Sequence, residues 1–341
     1  FGLQHSFNLA IQGGGEKANF RISAGYDTQD GSVIGQHLNR FTTRVALDYF
    51  ISDRIKVVTD YNMTYTDNHQ NSGQLLNSAL KRMPNLSVYY EDEYGNDIEG
   101  QYYNMLKRSV STDLQDMAND VNPVALAYLA TNNSTSIQIQ PRFQLVYNIL
   151  GLENDQTRLT YNGDISFQVF NSTSDQFYPA SLVTDGWDSS DNNKASSSTN
   201  KNMSLTTTHS LTFVPHFKNT DHSFQAMVRA QIQTSNNKGQ STSVYGLPTG
   251  TFSSTALPGT VSGFSTSAGQ SRGVNAVFQA HYAYRGKYIV DFTSRTDGST
   301  AFGDDKRWGT FPSVSLRWNI SDEPFIRDNA PWITMLSIRP S

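Results

Sequence analysis

Few residues of this 341-residue chain have the spacing that catalysis requires. Segment 269–273 reads Gly-Gln-Ser-Arg-Gly and matches the nucleophile elbow G-x-S-x-G. That motif needs a strand, a sharp turn and a helix around the serine, whereas the match here lies in a region with the serine and glycine content of a loop. The seven histidines lack the spacing of metal ligands, and the chain contains no cysteine. These motifs therefore do not identify a catalytic site.

Two acidic segments are candidates for a calcium site. Residues 91–97 and 185–191 concentrate carboxylates, and carboxylate oxygens are the ligands that Ca²⁺ prefers. Neither segment has the EF-hand spacing, so solvated acidic loops are the favoured interpretation. A loop-bound Ca²⁺ at Asp92 and Asp97 is kept as a minor hypothesis, and no other cofactor is predicted.

Aromatic side chains provide the candidate binding residues. Segment 71–83 has the pattern of a short amphipathic helix, and the residues after it are rich in tyrosine. Such rings suit stacking on sugars or gripping a peptide, and they suit docking to a partner protein equally well. The candidates are Tyr89, Tyr90, Tyr94, Tyr102 and Tyr103, with Trp187 in a later loop.

The composition excludes several classes of protein. Charged residues make up 16% of the chain, against about 25% in an ordinary soluble protein. Mean hydropathy is −0.50 and no apolar run reaches the length of a membrane helix, which excludes a helical membrane protein. The net charge of −4 gives no reason to expect a nucleic-acid partner.

Hydrophobicity alternates with a period of two residues along most of the chain. In segment 41–49, for example, Phe41, Val45 and Tyr49 share one face while Arg44 and Asp48 lie on the other. We count about twelve such strands. Their polar face carries mainly Asn, Gln, Ser and Thr, where a soluble sandwich typically carries Lys and Glu. This combination predicts an all-β fold, a transmembrane antiparallel barrel with one face toward lipid and one toward a wet lumen.

The connections support the same fold, because short and long ones alternate almost throughout. Outer-membrane barrels have short periplasmic turns and long extracellular loops. Short turns are predicted near residues 53, 155, 219 and 286, and long loops over 68–136, 171–201, 236–271 and 297–311. Aromatic girdles are expected at Tyr49 and Trp318 on the periplasmic side, and at Tyr26, Tyr65 and Phe292 on the outer side.

The most specific pattern lies near the carboxyl end. Segment 295–303 reads Arg-Thr-Asp-Gly-Ser-Thr-Ala-Phe-Gly, and segment 307–318 reads Arg-Trp-Gly-Thr-Phe-Pro-Ser-Val-Ser-Leu-Arg-Trp. With weaker pieces at 5–14, 20–26, 83–84 and 122–123, the chain resembles the SusC/RagA-type TonB-dependent outer-membrane transporters of Bacteroidetes over essentially its whole length. The motif residues are Arg295, Asp297, Gly298, Phe302, Gly303, Arg307, Trp308, Gly309, Phe311, Pro312 and Trp318.

These motif residues are interpreted as structural, because loops on barrels commonly fold back on themselves. Substrate contact by Arg295, Arg307 or Trp308 is the alternative. Arg295 falls on the inward side of its strand, where Asp297 or Asp291 could pair with it. The proline at position 312 is expected at the start of its strand, where a missing ladder donor is tolerated.

The resemblance implies that residues 1–341 are part of a single barrel domain of about 22 strands. The plug and the N-terminal extension of the family would lie outside this chain. It also implies active import of an oligosaccharide or oligopeptide across the Gram-negative outer membrane. The implied partners are a SusD-like surface lipoprotein, TonB-ExbB-ExbD, the bilayer and its lipopolysaccharide, and the family suggests a dimer of SusC–SusD pairs. A passive porin, an outer-membrane enzyme and a soluble secreted carbohydrate-binding β-protein remain as alternatives.

Overall fold

The structure, a computed structural model, describes residues 2–71, 73–104, 121–153, 155–184, 188–250, 254–330 and 332–340. Within these ranges, twelve strands form one antiparallel sheet in which each strand pairs with its neighbours along the chain. The predicted number of strands and their antiparallel order are therefore confirmed. A separate two-stranded hairpin interrupts the order between the fourth and fifth strands of the sheet.

The strands are numbered along the chain, with the separate hairpin as β5 and β6. Their bounds are β1 Gln4–Gly14, β2 Ala18–Asp30, β3 His37–Ser52, β4 Ile55–Gln70, β5 Tyr89–Glu91, β6 Asp97–Tyr102, β7 Thr131–Leu150, β8 Arg158–Tyr178, β9 Lys194–Val214, β10 His222–Tyr245, β11 Thr260–Tyr284, β12 Tyr288–Ser299, β13 Trp308–Asn319 and β14 Ser337–Ile338.

Helices are few and short in the described part of the chain. Helix α1 (Leu75–Lys81) confirms the helix predicted within 71–83, whereas α2 (Pro123–Leu129) and α3 (Pro324–Arg327) were not predicted. Short 3₁₀ turns follow β8, precede β13 and follow β13. None of the described helices has the length and apolar character needed to cross a membrane.

Strand register sorts the side chains of the sheet onto two faces. Tyr26, Phe41, Tyr65 and Ile137 stand directly opposite one another on four successive strands. Because opposed residues point to the same side of a sheet, such rows build a continuous apolar face, and the alternate residues build a polar face. The apolar face is exposed rather than packed into a core; Phe7, for instance, is 65% exposed. This face therefore requires an apolar environment outside the sheet.

The short connections lie at one end of the strands and the long connections at the other end, as predicted. The connections at 15–17, 53–54, 151–157, 215–221 and 285–287 are short, and the alternate ones, including 71–130 and 179–193, are mostly longer. One aromatic position was wrongly predicted. Phe292 lies within β12 opposite Ala280 and Val314, rather than at the outer end of the strand.

Several strands run further than predicted into the segments assigned to long loops. β8 and β9 remain paired as far as Tyr178 and Lys194, and β10 and β11 as far as Tyr245 and Thr260. Ser-, Asn- and Gly-rich composition favours loops locally, but here the ladder of neighbouring strands continues through it. At 20 to 25 residues, β7 to β11 exceed the roughly 9–11 residues that cross a bilayer. Their polar outer halves therefore extend past the apolar band.

This extension also corrects the setting of the serine motif. Residues 269–273 lie within β11 and pair residue by residue with 233–237 of β10. An uninterrupted strand lacks the sharp turn and helix on which a nucleophile elbow depends. The match to G-x-S-x-G therefore has no catalytic context.

Hydrophobic cores occur at the end of the strands that carries the long connections. One cluster joins helix α2 to the 3₁₀ turn after β8, and Tyr178 packs against it. A second cluster contains Phe177, together with Val244 and Leu247 from β10 and the loop that follows it. Because adjacent residues of a strand point to opposite faces, these loops pack on both sides of the sheet.

A buried carboxylate connects side chains at the end of the strands that carries the short turns. Glu323, just before α3, accepts a 2.6 Å hydrogen bond from the Tyr288 hydroxyl and a 3.1 Å bond from the Trp318 indole N–H. The Lys287 ammonium lies 3.5 Å away. These donors, above all Tyr288, stabilise the charged form and lower the pKa of Glu323 below its ordinary value.

We predict that Glu323→Gln lowers the stability of the protein in a pH-dependent way. A lowered pKa in the folded state stabilises the protein above the ordinary value of 4.5, and this contribution is lost as the pH falls toward the folded value. The variant should therefore unfold more readily than the parent at neutral pH, and the difference should narrow in acid. Urea unfolding in detergent at several pH values measures this. Glu153→Gln, in an exposed turn at the same end of the strands, is the control, and a pH-independent difference would contradict the prediction.

Candidate functional site

Four ionised side chains of alternating sign lie side by side on the polar face. Arg44 pairs with Asp60 across β3 and β4, and Arg142 pairs with Asp164 across β7 and β8, at 2.5 Å. Strand register places Asp60 directly opposite Arg142, which joins the two pairs into one row. Asn62 adds a 3.1 Å hydrogen bond to Asp60. The charges in this row balance, so this part of the wall is polar without net charge.

The same face carries a recess of about 530 Å³ farther around the sheet. Arg295 donates to Asp297 over 2.8–3.0 Å, which confirms the pairing expected from its inward position. Asn275 donates to the same carboxylate, and the guanidinium of Arg229 donates to the amide oxygen of Gln231 at 3.1 Å. We call this the wall recess; its lining includes Arg229, Gln231, Asn275, Arg295, Asp297 and Phe302.

The alternative partner that the sequence suggested for Arg295 is engaged elsewhere. Asp291 makes a 2.5 Å contact with the imidazole of His281. This pair lies on the polar face nearer the end of the strands with the short turns. Among the described residues, the guanidinium of Arg295 is therefore paired with the carboxylate of Asp297.

Other motif residues shape the backbone beside the wall recess. The ring of Trp308 lies over Gly298, where a Cβ atom would come within 2.5–2.6 Å of the ring carbons. Phe311 covers Gly309 in the same way, with its nearest ring atom 2.9 Å from that position. A side chain at either glycine would displace the ring that lies over it. The backbone N–H of Ser299 donates to the carbonyl of Arg307 at 3.1 Å, which closes the connection between β12 and β13.

The position of the motif proline was wrongly predicted. β13 begins at Trp308, so Pro312 is the fifth residue of the strand rather than the first. It stands opposite Ser294 of β12. On its other side, within the described residues, β13 pairs with β14 only at Trp318 and Asn319.

The predicted tyrosines form a compact group on the β5–β6 hairpin. The rings of Tyr89 and Tyr102 lie 5.4 Å apart, and those of Tyr90 and Tyr103 meet edge to face at the same distance. Tyr128 of α2, which the sequence did not single out, stacks on Tyr102 at 6.3 Å. These contacts give the group a structural role in addition to any role in binding.

Two of the predicted aromatic residues do not take part in this packing. Tyr94 lies at the tip of the hairpin and is 81% exposed, which makes it the most accessible of the predicted tyrosines. Trp187 lies outside the described residues.

The carboxylate proposed for calcium is engaged in a turn. Asp92 accepts hydrogen bonds from the backbone N–H groups of Tyr94 and Asn96 and from the Asn96 side chain. These bonds, led by that side chain, lower the pKa of Asp92. Asp97 stands opposite Glu91 in the hairpin. In the ranges that the structure describes, no three acidic or histidine side chains come together as a metal site.

A fully buried asparagine holds the longest loop together. The side chain of Asn122 accepts bonds from the N–H groups of Val124 and Ala125, which caps α2. It also donates to the carbonyls of Val88 and Tyr103 at 2.6 and 3.1 Å. One side chain therefore connects α2 to both flanks of the tyrosine hairpin.

We predict that Asn122→Ala loosens this loop without unfolding the sheet. Loss of the cap costs about 0.5–2 kcal/mol. The carbonyls of Val88 and Tyr103 keep their bonds from the Tyr103 N–H and the Arg82 guanidinium, so each lost Asn122 hydrogen bond adds about 0.5–1.5 kcal/mol. Hydrogen exchange of the α2 amides should accelerate by about tenfold or more, while exchange in β3 and β4 stays unchanged. The control is Asn237→Ala at an exposed position of β10. Unchanged exchange in α2 would refute the assignment.

Comparison with known proteins identifies the type of sheet. No protein-family model matches the chain. It is 25% identical to TonB-dependent receptor P39 of Formosa agariphila, over 100% of this chain and 30% of that protein. It is also 25% identical to TonB-dependent receptor SusC of Bacteroides thetaiotaomicron, over 94% of the chain and 31% of that protein. The chain resembles part of the barrel of SusC/RagA-type TonB-dependent receptors.

Comparison with solved structures supports the barrel fold of this SusC-like segment. A chain of the RagAB peptide transporter superposes with a TM-score of 0.66 at 14% identity, covering 94% of this chain and 34% of that one. The SusC-like segment thus spans about 30% of the length of the curated relatives it matches. In an outer-membrane barrel the apolar face contacts lipid and the polar face lines the interior. The charge row and the wall recess accordingly belong to the interior wall.

Proposed function

We propose that the chain forms part of the wall of an outer-membrane importer that takes up an oligosaccharide or oligopeptide with a SusD-like lipoprotein as its lid. The curated relatives are TonB-dependent receptors, SusC among them, and one solved structure of similar fold is a peptide transporter. The observation that carries the proposal is a continuous sheet with one exposed apolar face and one polar face. In this proposal the chain performs no chemistry on the cargo and uses no cofactor.

Transport requires that the wall bind cargo without trapping it. Amides and hydroxyls offer hydrogen bonds of about 0.5–1.5 kcal/mol each, and the row Arg44, Asp60, Arg142 and Asp164 already satisfies its own charges. A cargo molecule can therefore exchange one weak set of contacts for the next along the lumen. The apolar face would meanwhile contact the bilayer and lipopolysaccharide.

We place cargo capture and the lid at the end of the strands that carries the long connections. Tyr90 and Tyr94 are exposed there by 47% and 81%, on a hairpin that Asn122 holds in place. Exposed aromatic rings supply contact area for a sugar, a peptide or a partner protein. Energy from TonB-ExbB-ExbD would act through parts of the importer beyond this chain.

We predict that uptake depends on TonB. Cells making the full-length protein should accumulate fluorescent members of an oligosaccharide panel or an oligopeptide panel, and uptake should fall to background when TonB is deleted or a protonophore is added. Cells that lack the protein serve as the baseline. Uptake that persists without TonB would indicate a passive porin. A protein that purifies without detergent would instead support the soluble alternative.

A further inference from the structure

The wall recess differs electrostatically from the charge row on the same face. Strand register places Asp164 of the row, Gln231 and Asn275 of the recess, and Asp297 at one level of the sheet. In the row, each guanidinium has a carboxylate partner. Among the described residues that line the wall recess, Arg229 and Arg295 are the two cations and Asp297 is the one anion, so the three charges sum to a positive value.

Arg229 is the residue that gives the wall recess its net positive charge. Its guanidinium donates to the neutral amide of Gln231 at 3.1 Å. It lies exposed on the polar face, opposite Val277, which in turn lies opposite Arg295. Neighbouring strands lie about 4.8 Å apart, so the Cα atoms of the two arginines, two strands apart, are separated by about 10 Å. A small anionic group between them would be within reach of both flexible side chains.

The surroundings suit such a ligand. Asn275 and Gln231 carry amide groups that can donate to a second oxygen, and Phe302 lines the same recess on its outer side. The volume of about 530 Å³ falls in the usual range of ligand sites. Guanidinium groups bind carboxylate and ester-linked sulfate or phosphate through paired hydrogen bonds.

We propose that the wall recess binds an anionic group of the transported cargo, with Arg229 as the principal contact and Arg295 as the second. The inference rests on the proposed function, since it assumes that cargo passes along this face. The anionic group that we propose is a carboxylate, whose source is the terminus or side chain of a peptide or the carboxyl group of an acidic sugar. A neutral cargo would gain nothing from the unbalanced charge.

Binding to the purified full-length protein in detergent tests this inference independently of TonB. Two matched probe pairs are used: a hexapeptide pool with free or amidated C-termini, and a hexuronic acid trisaccharide with free or methyl-esterified carboxyls. We expect the charged member of at least one pair to bind about tenfold more tightly than its neutral counterpart. The pair that responds identifies the source of the anion.

Arg229→Gln should lower the affinity for the charged member to about that of its neutral counterpart, and Arg229→Lys should restore part of the preference. The matched control is Arg317→Gln. Arg317 also lies on the polar face and also donates to a neutral amide, that of Asn319 at 2.8 Å, but it is not among the residues lining the recess. The preference should shrink with added salt in the parent protein.

Three outcomes would overturn the inference. Neither probe pair shows a preference for its charged member, or Arg229→Gln and Arg317→Gln reduce the preference equally, which would indicate a general positive field. Alternatively, Arg229→Gln lowers the unfolding temperature and leaves binding intact, which would assign Arg229 to an internal contact. If the preference holds but uptake proves independent of TonB, the recess stands and the mode of transport is revised.

Discussion

Every other feature of this structure depends on the continuous ladder of backbone hydrogen bonds between neighbouring strands. In hydrocarbon, an unpaired backbone N–H or C=O costs several kcal/mol, and only helices or closed strand ladders avoid that cost. Here the ladder passes without crossover from β1 to β14. It fixes the direction of every side chain, so that lipid contact and lumen chemistry become properties of alternate residues in one sheet.

This arrangement separates stability from function. The apolar face gains its stabilisation from the membrane, which leaves the polar face free to carry charges that a packed core would exclude. One part of that face balances its charges, from Arg44 to Asp164, and another retains a positive excess around Arg229. Packing in the ordinary sense occurs where the strands leave the apolar band, around Asn122 and Phe177. The loops are therefore held by local cores and the wall by its ladder.

The sequence predicted the sheet well, because a period of two and the alternation of connection lengths are written in consecutive residues. It predicted the strand ends at Tyr178 and Lys194 poorly, since Ser- and Asn-rich segments continue as strands only when a neighbouring strand supplies hydrogen bonds. Pro312 was misplaced because β13 begins at Trp308, earlier than predicted. The pairing of Arg295 followed from its inward position alone. The excess charge at Arg229 could not be predicted, because it depends on three strands in register.

The central claim is that successive residues of a strand face lipid and lumen in turn. The 341-residue chain contains no cysteine. Single cysteines at 313, 314, 315 and 316 of β13 can therefore be spin-labelled in bilayers, in a full-length protein whose cysteines outside this chain are replaced by serine. Collision rates with oxygen, which concentrates in lipid, and with a water-soluble nickel complex are then compared. The account predicts oxygen-dominated labels in place of Val314 and Leu316 and nickel-dominated labels in place of Ser313 and Ser315. Equal accessibility at all four positions, or the opposite phase, would contradict it.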